Sequence, residues 1–217
     1  MEIFPKSKKG WSMLAVFVTI LLAVVTYFLI LPYAYYCKYE PRVGDIIFQS
    51  LPKISARIRT IEGVTESPYS HCGVVIKKNG KWYVNEALGS VHSTSLFTYI
   101  QRGRRGMFAI YRLKKEHKKN IPKFINALEK YQHRSYDFKY RLDDQYIYCS
   151  ELVYKAYKDA TNEELGKLMR LGDMNWKPYE ERIIEFEAGE LPLDRRMITP
   201  KHLSEANQLE IVYKFGY

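Results

Sequence analysis

Three residues could work together as one acyl-transfer unit: Cys149 in YCSELVYKAYKDA, His71 in SHCGVV and Glu86 in VNEALG. A thiolate is a strong nucleophile, a histidine can hold and return a proton, and a carboxylate can orient the imidazole. Cys149 stands where an apolar stripe of helical spacing begins, made of Leu152, Val153, Ala156 and Tyr157. The free N–H groups at a helix start favour negative charge and lower a thiol pKa. The backbone N–H of Cys149 would also serve as an oxyanion donor. Spacing alone leaves the plain readings open. A cysteine at a helix start is also a common small core residue, and a strand histidine is often structural.

The elements that must position these groups can be read locally. HCGVVIK (71–77) and KWYVNEA (81–87) read as strands, and Asn79-Gly80 between them is a strong hairpin signal. A two-residue turn places Lys78 opposite Lys81. Val75 then faces Val84, Gly73 faces Glu86, and His71 faces Leu88. Side chains alternate along a strand, so His71, Gly73, Val84 and Glu86 share one face. His71 and Glu86 are diagonal neighbours about 7–8 Å apart at the backbone, and Gly73 leaves the glutamate room. Cys72 and Asn85 fall on the other face, where Cys72 reads as a small apolar residue packed with Val74 and Ile76.

Elsewhere, GDIIFQ (44–49) reads as a buried strand. Residues 51–62 read as a helix capped by Ser50, with Leu51, Ile54, Ile58 and Ile61 on one stripe. Residues 63–70 read as a polar loop and 107–113 as a strand. Residues 121–132 read as a helix presenting Ile121, Phe124, Ile125, Leu128 and Tyr131. Short helices are expected within 163–187, and a last strand at 208–215. Strands and helices are mixed without regular alternation, which favours α+β.

The 217 residues hold no low-complexity tract and no recurring period, which excludes a disordered chain, a collagen-like chain and a repeat array. Three cysteines are too few for a disulfide scaffold. Cys37 and Cys72 could pair only outside the cytoplasm; Cys37 abuts the apolar front of the chain and Cys72 reads as buried, so no bridge is expected. No charge lies between Lys9 and Lys38, and residues 11–36 are long and apolar enough to cross a ~30 Å hydrocarbon layer. Trp11 stands at one end and Tyr33, Tyr35 and Tyr36 at the other, as interfacial rings do. The run is too long for a cleaved signal peptide, and Tyr36 before Cys37 does not fit a lipoprotein site. The reading is therefore an uncleaved anchor over 1–37 and one domain over 38–217. Lys6, Lys8 and Lys9 favour a cytoplasmic N-terminus, which puts the domain on the extracytoplasmic side. Net charge is +10, and 101–141 alone carries 13 basic side chains against 3 acidic ones. That stretch suits anionic lipid headgroups, an anionic envelope polymer, or a plain solvated face. Nucleic acid is not expected as a partner outside the membrane. Oligomeric state has no signature in the chain.

GDIIFQ, SPYSHCGVVI, VNEALG, YCSELVYKAY and the late RRMITPKHLSEANQLEIVY together resemble the circularly permuted papain-fold hydrolases of the NlpC superfamily, nearest to the YiiX/YaeF-type amidases. The resemblance covers roughly residues 41–215. It implies a permuted papain-like α+β fold, a five-stranded sheet and a cysteine helix packed on it. It also implies Cys149 as nucleophile, His71 as base and Glu86 as orienting acid, in the chain order that permutation gives. Tyr69 and Ser70, just before His71, are candidates to line the site mouth or donate to an oxyanion. Papain-like enzymes use a glutamine at the oxyanion, which makes Gln49 a third candidate. His71, Glu86, His92 and Cys149 lack short metal-ligand spacing, so neither a metal nor an organic cofactor is expected. Pocket walls are expected chiefly from 51–70, 88–106 and 161–195. The implied activity is hydrolysis of an amide in an envelope molecule, a peptide stem or a lipid. Acyl transfer between lipids and an inactive binding module on the same fold are the alternatives.

Overall fold

The structure is a computed structural model that describes residues 8–53 and 55–217. The chain divides into two units between Tyr39 and Glu40. The first holds one helix, α1 (Lys8–Lys38), of 31 residues, about 46 Å at 1.5 Å per residue. Its Lys8–Tyr27 stretch has a mean hydropathy of 2.0. By length and composition α1 fits a membrane span or a signal sequence. Lys6 lies outside the described residues.

The second unit is built on a six-stranded antiparallel sheet. Its strands are β1 (Ile46–Gln49), β2 (His71–Lys78), β3 (Lys81–Leu88), β4 (Ser90–Ser95), β5 (Phe108–Leu113) and β8 (Leu209–Phe215). They lie in the order β4-β3-β2-β1-β5-β8. Between β1 and β2 runs α2 (Ala56–Thr65), and between β4 and β5 runs α3 (Leu96–Arg102). After β5 come α4 (Ile121–Glu129) and α5 (Cys149–Thr161). A small ladder follows, β6 (Met169–Arg170) with β7 (Arg196–Met197), enclosing α6 (Glu180–Glu187); α7 (Pro200–Ser204) leads into β8.

The β2–β3 register is the one the turn dictates. Val75 pairs with Val84 and Lys78 with Lys81, and Asn79 and Gly80 take φ of 49° and 77°, the left-handed pair a tight hairpin requires. Gly73 is needed where it stands: a Cβ there would lie 2.5 Å from Val84 Cγ1 and 2.8 Å from the Asn85 carbonyl.

The alternation of the strands sorts the core. Ile46, Phe48, Cys72, Val74, Ile76 and Ala87 face Phe124 and Leu128 of α4 and Leu152, Val153, Ala156 and Tyr157 of α5. Each buried aliphatic side chain of this kind contributes about 1.5–3 kcal/mol. That burial holds α5 down and so sets where its first residue, Cys149, stands.

Several expectations need correction. The helix expected at 51–62 forms at Ala56–Thr65, with Ser55 rather than Ser50 at its N-cap. Pro52 disfavours helical backbone at the residue before it, and the Ser50 hydroxyl is taken by Glu62 and Arg104. Ile54 lies outside the described residues. The first strand begins at Ile46 rather than 44, and α4 ends at Glu129 rather than 132. The sheet has six strands rather than five, and part of the stretch expected as pocket loop, 88–106, is β4 and α3. Of 163–187, only Glu180–Glu187 is an α-helix, beside short 3-10 turns.

Candidate active site

Cys149 is the first residue of α5 and is 3% exposed. The helix start is tied down on both sides. The Tyr148 N–H donates to Glu151 Oε2 at 3.2 Å. The Ser150 hydroxyl donates to the Ile198 carbonyl at 2.8 Å, and the Ile198 N–H donates to the Tyr148 hydroxyl at 3.0 Å. The sulfur is therefore fixed with free N–H groups behind it.

His71 opens β2 and is 1% exposed. Its Nε2 lies 2.5 Å from Glu86 Oε2, which leaves Nδ1 as the nitrogen for Cys149. Tyr99 of α3 stacks on the imidazole, ring centroids 5.6 Å apart at 28°. Glu86 is fully buried on β3. The same Oε2 accepts from Arg102 Nη2 at 2.5 Å. The other oxygen lies 4.0 Å from Nε2 of His92, which sits opposite it on β4. The Arg102 guanidinium also lies over the Tyr99 ring, 5.2 Å from its centroid. Tyr99 and Arg102 are three apart on α3, so one helix face holds both the imidazole and its carboxylate.

The electrostatics follow. Burial opposes a charge on His71, but the Cys149 sulfur and Glu86 outweigh it and raise its pKa to about 9. Burial also opposes ionisation of Glu86, yet His71 and Arg102 hold it at about 2. Cys149 is held well below the usual thiol range, first by a hydrogen bond from Cys72, against the cost of burial, and then by His71. Cys72 itself is pushed up by burial and by the sulfur beside it. The arrangement is a thiolate facing an imidazolium whose far nitrogen rests on a carboxylate.

The other sequence candidates separate. Ser70 borders the same pocket as Cys149, and its hydroxyl accepts the Leu51 N–H at 3.0 Å. Tyr69 packs in an aromatic cluster with Phe48, Tyr111 and Tyr217 at 5.0–6.3 Å and does not line that pocket. Gln49 pairs with His71 across β1 and β2, but its side chain turns to Gly103, where a Cβ would meet Oε1 at 2.5 Å. Cys72 packs with Val74 and Ile76 as read from the pattern, and in addition its thiol reaches the Cys149 sulfur.

Tyr99, Arg102, Tyr136 and Tyr140 were not anticipated. Tyr136 lies beside Cys149 and Tyr140, at the same pocket. A signal for α3 was present: Ser95 before LFTYIQR and Gly103 after it are helix punctuation. No local signal marks Tyr136, which reaches the site through an irregular loop.

A pocket opens beside Cys149. Ile61 and Val64 of α2, Phe138, Leu171, Met174, Ile183 and Phe186 of α6, and Met197 and Ile198 make its walls, with Tyr136 and Tyr140 near the sulfur. Segments 51–70 and 161–195 contribute as expected, whereas 88–106 does not and 136–140 takes its place.

The chain resembles known proteins over most of its length. The family model for permuted papain-like amidase enzymes of the YaeF/YiiX, C92 family matches residues 40–213. The uncharacterized protein YiiX of Escherichia coli (strain K12) is 31% identical over 179 residues, covering 81% of this chain and 88% of its own. A crystal structure described as the metalloprotein yiiX from Escherichia coli O157:H7 superposes with a TM-score of 0.75 at 31% identity, covering 82% of this chain and 99% of that one. Among the described residues no three His, Cys, Asp or Glu side chains converge as ligands, and the Arg102 charge on Glu86 opposes a cation there.

Proposed function

Because this chain belongs to the permuted papain-like amidases of the YaeF/YiiX family, a class of cysteine hydrolases, we propose that it cleaves an amide bond through Cys149, His71 and Glu86. One observation carries the assignment. Cys149 stands at a helix N-terminus against a histidine whose far nitrogen is 2.5 Å from a fully buried carboxylate.

The thiolate attacks the acyl carbon, and the carbonyl electrons move onto oxygen. The Cys149 backbone N–H and the Tyr136 hydroxyl, which lies beside Cys149, serve as donors to that oxyanion. The His71 imidazolium gives its proton to the leaving amine as the C–N bond breaks, leaving an acyl-enzyme and a neutral imidazole. The imidazole then takes a proton from water, hydroxide adds to the thioester, and the thiolate leaves with the acid released. Glu86 stays ionised and holds the ring throughout.

The apolar walls of the pocket favour a substrate with an aliphatic or lipid-linked acyl group over a polar peptide stem. We read helix α1 as a membrane anchor through residues 11–36; the lysines ahead of that run favour a cytoplasmic N-terminus, and with it a catalytic unit on the extracytoplasmic side, next to envelope substrates.

The test is to incubate the full chain with an N-acyl amide, quench with acid and map the acyl group by mass spectrometry. The expected adduct sits on Cys149, with free acid rather than an acylated amine as product. Retained turnover in Cys149→Ala would sink the assignment.

A further inference from the structure

The pocket beside Cys149 has mostly apolar walls and three charged lining residues, Arg57, Glu187 and Arg195. Arg57 of α2 enters it, its guanidinium carbon 4.3 Å from the Phe186 ring centroid and 5.4 Å from that of Phe138. Its Nη1 donates to the Phe138 carbonyl at 2.7 Å. The pocket's other charges cancel: Arg195 meets Glu187 with Nη1 on Oε1 at 2.5 Å and Nη2 on Oε2 at 2.8 Å. Among the described residues no carboxylate pairs with Arg57, while Arg104, Arg112 and Arg195 each hold one. The part-exposed guanidinium has two ring faces and one carbonyl as neighbours and N–H donors to spare.

A second observation lies beside it. The Tyr140 hydroxyl borders the same pocket, is buried, and has no hydrogen-bond partner of good geometry. It lies close to Arg57, to Tyr136 and to the Cys149 sulfur. Burial pushes its pKa to about 12, with Arg57 pulling the other way, and it remains a donor at neutral pH. A charged donor and a neutral donor thus meet at one end of an otherwise apolar wall, a short distance from the reacting sulfur.

We infer that Arg57 and Tyr140 form a seat for a carboxylate on the substrate, so that the enzyme takes an amphiphile with an apolar acyl group and an acidic group close to the scissile amide. An N-acyl amino acid is the simplest molecule of this class. The guanidinium accepts a carboxylate in a planar fork, the Tyr140 hydroxyl adds a third hydrogen bond, and the aliphatic tail fills the space between Ile61, Val64, Leu171 and Ile183. This deepens the amidase reading and rests on Cys149 being the nucleophile.

Binding and turnover separate the two claims. N-octanoylglycine and its uncharged analogue N-octanoylglycinamide are titrated by calorimetry into full-length Cys149→Ala protein in nanodiscs. The carboxylate is expected to bind about tenfold tighter or more, as a charge-assisted hydrogen bond gives. Adding Arg57→Gln should bring the two ligands to parity by weakening only the carboxylate, Arg57→Lys should keep part of the preference, and Tyr140→Phe should lower it several-fold. Equal affinities without the Arg57 change, or an Arg57→Gln variant that weakens both ligands alike, would overturn the seat and leave Arg57 as a support for the 136–140 loop. Turnover of either amide by the wild type is scored separately, and its absence counts against the amidase reading, not against the seat.

Discussion

Replacing His71 by alanine tests the electrostatics of the site before any substrate is known. The ordinary thiol value is 9, the Cys149 thiol lies well below it, and burial alone would move it higher. Without the imidazolium, the Cys72 hydrogen bond and the cost of burial remain and oppose each other, so the thiol is expected to rise toward its ordinary value. A thiol of pKa 9 is about 0.1% ionised at pH 6, and one held well below 9 carries far more thiolate there. The more basic thiolate is the better nucleophile once formed, which recovers part of the loss. The net expectation is a fall on the order of tenfold in the rate of Cys149 labelling by iodoacetamide at pH 6. Peptide mass mapping reads each cysteine separately, with exposed Cys37 as the reagent control and buried Cys72 as the negative one. The same pair sets an upper limit for turnover. The value of His71 is about 9, against 6.5 ordinarily, so the proton for the leaving amine, and the ion pair's contribution to stability, are fully present below pH 6.5. Both fade as pH passes through 9. Labelling that is equally fast in wild type and variant at pH 6, or wild-type labelling that rises only above pH 8, would refute the reasoning.

Two further outcomes follow from the same geometry. Arg102→Met leaves Glu86 buried with His71 alone, and the pKa of Glu86 should climb from about 2 toward its usual 4.5. The full difference is worth about 3 kcal/mol; with His71 and Arg102 sharing it, the variant should lose about 1.5 kcal/mol at pH 7, or roughly 3–6 °C in Tm. A depressed carboxylate stabilises above its unfolded value and loses that contribution as pH falls toward 2. The Tm gap between wild type and variant should therefore narrow below pH 4, and a gap independent of pH would contradict it. Cys72→Ala removes the first cause of the low Cys149 value while keeping the backbone N–H. The midpoint of the labelling profile should move to higher pH with the fold retained, and an unchanged profile would assign Cys72 to packing alone.

What the sequence determined by itself lies within a few residues of its cause. Asn79-Gly80 admits one tight turn, and that turn fixed the β2–β3 register and put His71 and Glu86 on one face. The apolar stripe of Leu152, Val153, Ala156 and Tyr157 placed a helix start at Cys149. The length of the uncharged run did the same for α1. Each of these depends on neighbours in the chain, whose distances are set by covalent geometry and hydrogen-bond period. The helix at 51–62 was misplaced because its apolar period continues across Pro52 and Ser50, and only the tertiary partners Glu62 and Arg104 show that Ser50 is engaged elsewhere. The basic segment after residue 101 read as a charged surface, yet its Arg102 folds back 16 residues to hold Glu86. Tyr136, Tyr140 and Arg57 gather near the sulfur from a loop and from α2, and Cys72 reaches it from the face opposite His71. These contacts exist because α5 and α3 clamp opposite faces of the same sheet. Their distances come from packing against shared neighbours, a sum over the whole core that no local window of sequence contains.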